Sequence, residues 1–121
     1  MGPRLLLVDD DEHTRFIVKR TLARLGGGLA VREAPSGEEA IRLLDAEAFD
    51  VVLSDFSMAG KDGVDVLCHA LDRQPGARRV LMSGTLPEAL GRMEGRGCVD
   101  HAFEKPTAFA AWATALRAAL A

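Results

Sequence analysis

The chain has 121 residues, of which 48% are hydrophobic and 27% charged, so its size and composition predict one globular domain and exclude a disordered or fibrous protein. Its net charge of -3 argues against direct binding to nucleic acid, and its apolar opening turns acidic too soon for a signal peptide or a membrane span. The two cysteines, Cys68 and Cys98, match no common zinc spacing. We therefore expect free thiols and a cytoplasmic location.

Short apolar runs bounded by polar residues predict five β-strands. The first run, Leu5 to Val8, is followed by three aspartates, and the third predicted strand is followed directly by Asp55. The predicted strands cover residues 4–8, 29–34, 50–54, 79–82 and 98–103.

Five segments of helical periodicity separate and follow these strands. The second helix is predicted to begin at a capping box of Ser36 and Glu39, and the fourth at one of Thr85 and Glu88. The third carries an apolar stripe that includes Cys68. The last is marked by Phe109, Trp112, Ala113, Leu116 and Leu120.

Strands that alternate with helices predict a doubly wound α/β fold, with a parallel sheet covered by helices on both faces. We expect a single domain over residues 1–121 because the sequence contains no repeat, linker or low-complexity tract. Ligands of such folds bind at the carboxyl ends of the strands. Candidate functional residues are therefore those that come just after each apolar run.

Four predicted strands deliver polar side chains to that edge of the sheet: Asp9 and Asp10, then Asp55, Ser83 and Lys105. Carboxylates a few ångströms apart repel each other by roughly 4 kcal/mol per pair at an effective dielectric of about 20, so a divalent cation is expected among them. Because every obvious ligand is an oxygen, Mg²⁺ or Mn²⁺ is favoured over zinc.

The remaining side chains at this edge suit a phosphoryl group. The ammonium of Lys105 can pair with one phosphoryl oxygen, and the hydroxyl of Ser83 can donate a hydrogen bond to another. A carboxylate can itself attack phosphorus, and Asp55, which stands alone at the end of a central strand, is the best candidate for that nucleophile.

Five motifs at these positions resemble those of two-component response-regulator receiver domains. They are Leu-Val-Asp-Asp-Asp-Glu at 7–12, Val-Leu-Ser-Asp-Phe-Ser-Met at 52–58, Asp-Gly at 62–63, Leu-Met-Ser-Gly-Thr at 81–85 and Phe-Glu-Lys-Pro at 103–106. The resemblance covers nearly the whole chain and implies a flavodoxin-like (βα)5 fold with strand order 2-1-3-4-5. It also implies phosphorylation by a histidine kinase or a histidine phosphotransfer protein, and a downstream protein partner or output domain.

The resemblance also implies a role for individual residues. Asp55 maps to the phosphoacceptor, and Asp9 and Asp10 map to the acidic pair that binds Mg²⁺, with Asp10 the expected direct ligand. The backbone carbonyl of Ser57 maps to a further metal ligand. Ser83 and Lys105 map to the phosphate-binding hydroxyl and lysine, and Ser57 and Thr85 occupy the positions that tune dephosphorylation.

The sequence departs from the family pattern at two positions. Ala59 stands where the family usually has proline, so the loop after Asp55 is expected to be less restricted. Ala102 stands where the switch aromatic normally lies, and strand alternation directs the adjacent Phe103 to the opposite face of the sheet. The usual coupling of Ser83 to an aromatic residue is therefore not expected here.

Two other functions compete with a phosphorylated receiver. A haloacid-dehalogenase-like phosphatase also uses strand-end aspartates, but its Asp-x-Asp motif requires Thr or Val where this chain has His13. A binding module that keeps the fold but switches without phosphate would account for Ala59 and Ala102. Beyond its own phosphorylation and dephosphorylation we expect no enzymatic activity. The last helix carries few polar residues and is a candidate dimer contact.

Overall fold

The computed structural model describes residues 2–121 and contains the predicted alternation of strands and helices. The strands are β1 (Arg4–Val8), β2 (Ala30–Ala34), β3 (Val51–Asp55), β4 (Arg78–Ser83) and β5 (His101–Glu104). The helices are α1 (Glu12–Leu25), α2 (Gly37–Ala46), α3 (Gly63–Arg73), α4 (Leu86–Met93) and α5 (Ala111–Leu120). Within these residues, no helix is long and apolar enough to cross a membrane.

The five strands form one parallel sheet in the order β2-β1-β3-β4-β5, which confirms the predicted fold class. In this register Val8 of β1 pairs with Ser54 of β3, and Asp55 pairs with Met82 of β4. The carboxyl ends of the central strands therefore lie side by side. The parallel arrangement requires each helix to cross over a face of the sheet.

Two apolar clusters cover the two faces of the sheet, as alternation along the strands requires. Leu6 and Leu81 belong to the cluster that packs against α2 and α3, whereas Leu7 and Leu53 belong to the cluster that packs against α1 and α5. The three central strands β1, β3 and β4 are almost completely buried, which explains why β1 and β3 appear in the sequence as continuous apolar runs.

Helix capping differs in part from the predictions. Ser36 does cap α2, since its Oγ accepts a hydrogen bond from the backbone N–H of Glu39, but the Glu39 carboxylate pairs with Arg42 instead of completing the box. Thr85 makes no side-chain cap to α4, so that predicted capping box is wrong.

A complete capping box is present at the start of α3, where the sequence pattern does not predict one. Asp62 Oδ1 accepts from the backbone N–H of Asp65 at 2.9 Å, and Asp65 Oδ2 accepts from that of Asp62 at 3.0 Å. This box fixes the start of α3, at the end of the loop that follows Asp55.

Strand β5 begins at His101 and not at Cys98 as predicted. The side chain of Arg79 is the reason: its Nε donates to the carbonyl of Cys98 at 2.9 Å, and its guanidinium pairs with Asp100. These contacts hold the residues before β5 around a buried arginine instead of in the sheet. Phe109, predicted in the last helix, precedes α5 and is 52% exposed.

The expectation of free thiols is wrong in this structure. Cys68 of α3 and Cys98, which precedes β5, are joined by a disulfide, with their Cα atoms 4.9 Å apart. The two cysteines are 30 residues apart along the chain, a spacing that does not by itself indicate pairing. The fold brings them together because α3 packs beside the end of the α4–β5 connection.

Candidate functional site

Three charged side chains from three strand ends meet at the carboxyl edge of the sheet. Asp9 follows β1, Asp55 is the last residue of β3, and Lys105 follows β5. The Nζ of Lys105 lies 3.0 Å from Asp9 Oδ2 and 3.0 Å from Asp55 Oδ1. One ammonium therefore bridges two carboxylates that are distant from it in sequence.

The three carboxylates of Asp9, Asp10 and Asp55 form a compact cluster, with one oxygen from each lying within 4.8 Å of the others. Asp9 is completely buried, and its Oδ1 accepts the backbone N–H of Asp11 at 2.9 Å, whereas Asp10 is exposed at the mouth of the site. A set of carboxylate oxygens open to solvent on one side fits a hard divalent cation such as Mg²⁺.

Burial sets the protonation of the two inner carboxylates. Removal from water, reinforced by the negative charge of Asp9 and opposed by Lys105, raises the pKa of Asp55 to about 6. Burial likewise raises the pKa of Asp9, although the backbone N–H of Asp11 and the ammonium of Lys105 oppose the shift. Asp55 is thus mainly ionised at neutral pH. Its buried negative charge is energetically unfavourable, and a nearby positive charge would offset that free energy.

Lys105 remains a cation in this site. Burial lowers the pKa of its ammonium, but the facing carboxylates of Asp55 and Asp9 more than compensate and raise that pKa above its ordinary value. A lysine with a fixed positive charge next to an ionised carboxylate is suited to binding an anion placed between them.

Ser83, the last residue of β4, is completely buried beside this cluster of charges. Its backbone carbonyl accepts the N–H of Lys105 at 2.8 Å, which ties the two strand ends together. Its Oγ accepts the N–H of Thr85 at 2.9 Å. Thr85 itself is exposed, with its Oγ1 at 3.4 Å from that of Ser83.

The loop between Asp55 and α3 is held at both ends. Gly63 donates its N–H to the carbonyl of Phe56 at 2.9 Å, and a Cβ added at Gly63 would lie 2.3 Å from the carbonyl oxygen of Asp55. Only glycine fits this close approach. Gly60 has φ 76°, a conformation that proline cannot adopt, and Ser57 is exposed near the start of the loop.

Ala102, at the position expected for the switch aromatic, and its neighbour Phe103 face opposite sides of the sheet, as the alternation predicts. Ala102 is partly buried and packs on the α2–α3 side. Phe103 is 9% exposed and packs on the α5 side, where its ring lies edge-on to Trp112 with centroids 6.2 Å apart. Phe103 is therefore a core residue and does not replace the missing aromatic.

Asp11 has a structural role and does not belong to the cluster. Its Oδ1 accepts the backbone N–H of His13 at 3.1 Å, and its Oδ2 accepts the hydroxyl of Thr14 at 2.7 Å, so it is the N-cap of α1. The Asp-x-Asp arrangement of a phosphatase needs both aspartates at the reaction centre. Here only Asp9 of that pair points into the site.

Sequence reasoning missed one residue that supports the site. Arg15 of α1 donates from Nη1 to the backbone carbonyl of Asp9 at 2.6 Å and pairs with Glu33 of β2. It thereby fixes the backbone of the inner carboxylate. The position of Arg15 one turn into the helix that follows Asp9 is the available signal, but an arginine on a helix is most often a solvated charge.

Comparison with known proteins agrees with this geometry. Residues 5–116 match the family described as the response regulator receiver domain. The chain belongs to this family. Receivers are the signalling switches of two-component systems, so the family assignment does not favour the phosphatase alternative.

Individual relatives of this receiver match parts of larger proteins. The transcriptional regulator NtrC of Klebsiella pneumoniae is 35% identical over 77 residues, which is 64% of this chain but only 16% of NtrC. The receiver thus spans a small part of that curated relative.

Solved structures extend the likeness to nearly the entire receiver. The signal receiver domain of an HD domain-containing protein from Pseudomonas fluorescens Pf-5 superposes with a TM-score of 0.82 at 25% identity, covering 99% of this chain and 95% of that one. A response regulator protein from Burkholderia pseudomallei gives a TM-score of 0.79 at 28% identity, covering 98% and 66%.

Proposed function

We propose that this chain is a phosphoacceptor switch in which Asp55 receives a phosphoryl group from a histidine kinase or a histidine phosphotransfer protein in a Mg²⁺-dependent reaction. The observation that carries the proposal is the bridge from Lys105 to Asp55 and Asp9 inside a cluster of three carboxylates. The Burkholderia pseudomallei relative, whose structure is described with a phosphorylated aspartic acid and a calcium ion, supports it.

The chemistry requires an ionised Asp55. One of its carboxylate oxygens forms the new bond to phosphorus while the bond between phosphorus and the donor breaks, and the donor leaves with the bonding electrons. With a pKa of about 6, most Asp55 carboxyl groups are ionised at neutral pH and able to attack. Burial keeps water away from the nucleophile, since the side chain is only 7% exposed.

Asp9, Asp10, Asp55 and the backbone carbonyl of Ser57 are the groups that would hold the cation. When bound, Mg²⁺ supplies positive charge that offsets the charge on the phosphoryl oxygens. Burial raises the pKa of both Asp9 and Asp55, so these two carboxylates gain most from such a charge. Mn²⁺ has the same preference for oxygen ligands and is expected to substitute.

Lys105 and Ser83 would hold the product. The ammonium of Lys105, already 3.0 Å from Asp55 Oδ1, pairs with a phosphoryl oxygen once Asp55 is phosphorylated. The hydroxyl of Ser83 donates to another phosphoryl oxygen. Their movement toward phosphate is the event that a partner protein or an output domain would detect. Ser57 and Thr85, exposed beside the site, would tune the hydrolysis that resets it.

The wider assignments follow from the same proposal. Residues 1–121 form one receiver domain that works in the cytoplasm, where its phosphodonor acts, and that turns over no substrate apart from its own phosphate. The exposed side of α5, with Thr114 and Arg117, is the candidate dimer contact.

A test compares Asp55→Asn with Asp72→Asn, which changes an exposed carboxylate on α3 outside the acidic cluster. Each protein is incubated with acetyl phosphate and Mg²⁺ and its intact mass is measured. We expect one phosphoryl adduct on the wild type and on Asp72→Asn, and none on Asp55→Asn or in excess EDTA. An adduct that persists in Asp55→Asn would contradict the assignment.

A second measurement distinguishes the proposed switch from the alternative, a binding module that keeps the fold but switches without phosphate. The alternative predicts that phosphorylation changes neither the exchange of backbone amides nor partner affinity. We expect instead slower hydrogen exchange in the peptide that carries Ser83 and Thr85 once Asp55 is phosphorylated, because new hydrogen bonds to phosphate order that strand end. Identical exchange with and without phosphate would favour the alternative.

A further inference from the structure

The Cys68–Cys98 disulfide links two elements that otherwise make limited contact. Cys68 is partly buried on α3, and Cys98, 6% exposed, lies in the segment 94–100 between α4 and β5. In the cytoplasm, where the proposed function places this chain, disulfides are rare outside hyperthermophiles and usually serve catalysis or redox sensing. Nothing in the phosphorylation site requires this bond.

The region that the disulfide secures is weakly attached to the rest of the domain. Helix α4 has one fully buried residue, Ala89, and leaves Leu90 50% exposed. It is also attached by Met93, a partly buried side chain that packs against the core, and by the ion pair of Arg92 with Asp62 and Asp65 at the start of α3. The ion pair is partly exposed and so contributes little.

The segment after α4 is also poorly restrained by its own backbone. Gly95 and Gly97 both have positive φ, at 75° and 67°, and the residues from 94 to 97 are exposed. The hydrogen bonds from Arg79 to the carbonyl of Cys98 and to Asp100 hold the end of the segment, not its start. The disulfide at Cys98 adds a covalent link between this end of the segment and α3.

We propose that Cys68 and Cys98 are a reversible thiol–disulfide pair which, when oxidised, fastens α4 and the segment 94–100 to α3. The pair gives the receiver a redox input that is independent of phosphorylation at Asp55. The Cα separation of 4.9 Å lies within the range that a disulfide spans, so the fold accommodates the closed pair.

The oxidant is a low-molecular-weight disulfide such as oxidised glutathione. The thiolate of Cys68, the more exposed of the two, attacks one sulfur of that disulfide and releases one glutathione thiolate, which leaves a mixed disulfide on Cys68. The thiolate of Cys98 then attacks the Cys68 sulfur and releases the second glutathione. Two protein thiols are oxidised as one glutathione disulfide is reduced to two thiols, and the reverse exchange reopens the pair.

The test equilibrates the whole protein with mixtures of reduced and oxidised glutathione, traps free thiols by alkylation and measures mass. We expect a complete and reversible transition between the dithiol and the intramolecular disulfide. A pair that never closes, that stops at mixed disulfides, or that resists reduction at every ratio would overturn the proposal.

Hydrogen exchange on the two forms tests the structural consequence. Reduction is expected to lower Tm by about 10 °C for a loop of this length. It should also speed amide exchange in the peptides that cover α4 and residues 94–99 by more than it does in α1. Cys68→Ser, a small change at a partly exposed site, should match the reduced protein under both conditions. Equal exchange of α4 in both forms would contradict the proposal.

Independence from phosphorylation has its own control. Asp55→Asn cannot be phosphorylated at that position and should show the same redox-dependent change in α4. If the redox-dependent change in α4 is lost in Asp55→Asn, the claim that the redox input is independent of phosphorylation is overturned. If the wild type is not phosphorylated at all, the proposed function fails, but the redox-dependent change in α4 is unaffected.

Discussion

The carboxyl edge of the sheet and the neighbouring helix α4 differ sharply in how firmly they are held. At the carboxyl edge, Asp9, Asp55, Ser83 and Lys105 are buried or nearly so and hold each other through ion pairs and backbone hydrogen bonds. On the side of α4, the helix is held by one buried alanine, the partly buried Met93 and a partly exposed ion pair, and the disulfide holds the segment after it. The site is rigid and charged, and the neighbouring helix is free to respond.

That difference bears on how the proposed switch would pass a change at Ser83 to the surface. Ala102 cannot transmit a movement of Ser83 by turning a ring, and Phe103 is packed against Trp112 on the other face. The loosely held α4 lies directly after Ser83 and Thr85 in the chain. A change at Ser83 can therefore reach the weakly attached α4 through a few residues of chain. Substitutions in the charged site and in α4 test this difference between the two regions.

The largest effect is expected from Lys105→Met, which leaves two buried carboxylates facing each other. The free energy of unfolding in EDTA should fall by about 3 kcal/mol, and phosphoryl incorporation should slow on the order of a hundredfold. Urea titration and intact mass measure the two effects. Lys61→Met, on an exposed lysine, is the matched control, and an equal loss in both variants would show that the bridge is unimportant.

Asp55→Asn should change the pH dependence of stability. The folded protein raises the pKa of Asp55 from 3.8 to about 6, so it binds this proton more tightly than the unfolded chain. The stabilisation of the folded protein that comes from protonated Asp55 is therefore fully present below about pH 4 and is lost as pH rises through about 6. Without Mg²⁺, Asp55→Asn should be more stable than the wild type by up to about 3 kcal/mol at neutral pH, and hardly different at about pH 4.

Urea titrations across that pH range in EDTA measure the difference between the two proteins. Asp72→Asn, which removes an exposed carboxylate outside the cluster, is the control for the loss of one negative charge. A difference between Asp55→Asn and the wild type that stayed flat or shrank with rising pH would mean that burial of Asp55 does not disfavour its charge.

Phe103→Leu should cost stability without affecting the chemistry. Its ring is buried against Trp112, so a smaller side chain should lower the free energy of unfolding by about 1.5 kcal/mol and leave the rate of phosphorylation unchanged. Phe109→Leu, at a ring that is 52% exposed, should have almost no effect. A large change in phosphorylation with Phe103→Leu would give that ring a switching role after all.

The smallest effect is expected from Arg92→Gln, which removes the ion pairs between α4 and the start of α3. Global stability should fall by less than about 1 kcal/mol because these pairs are partly exposed. Hydrogen exchange in α4 should nevertheless rise, and rise further in the reduced protein. Unchanged exchange in both redox forms would show that another contact holds α4.

The sheet and its charged edge are predictable from the sequence because both depend on local signals. Apolar runs such as Leu5 to Val8 indicate buried strands, and the carboxyl ends of parallel strands meet at one edge. This reasoning is sufficient to place Asp55 and Lys105 together. The positions of Asp9, Asp55 and Lys105 agree with that expectation, while their functional roles stay proposals.

Two of the failed predictions involve contacts between elements distant in sequence. The start of β5 differs from its prediction because the buried side chain of Arg79 binds Cys98 and Asp100, and no pattern in the sequence marks an arginine as buried. The disulfide is unpredictable for the same reason, since it depends on how α3 packs against the end of the α4–β5 connection. Thr85 has the residue type of a cap, but its backbone N–H binds Ser83.

The central claim is that Asp55 accepts phosphate inside this rigid site, and peptide mapping of the phosphorylated wild type tests it most directly. After incubation with acetyl phosphate and Mg²⁺, we predict one phosphoryl group per chain, located on the peptide that contains Asp55 and absent when EDTA removes the metal. Label on another peptide, or equal label without the metal, would contradict the account.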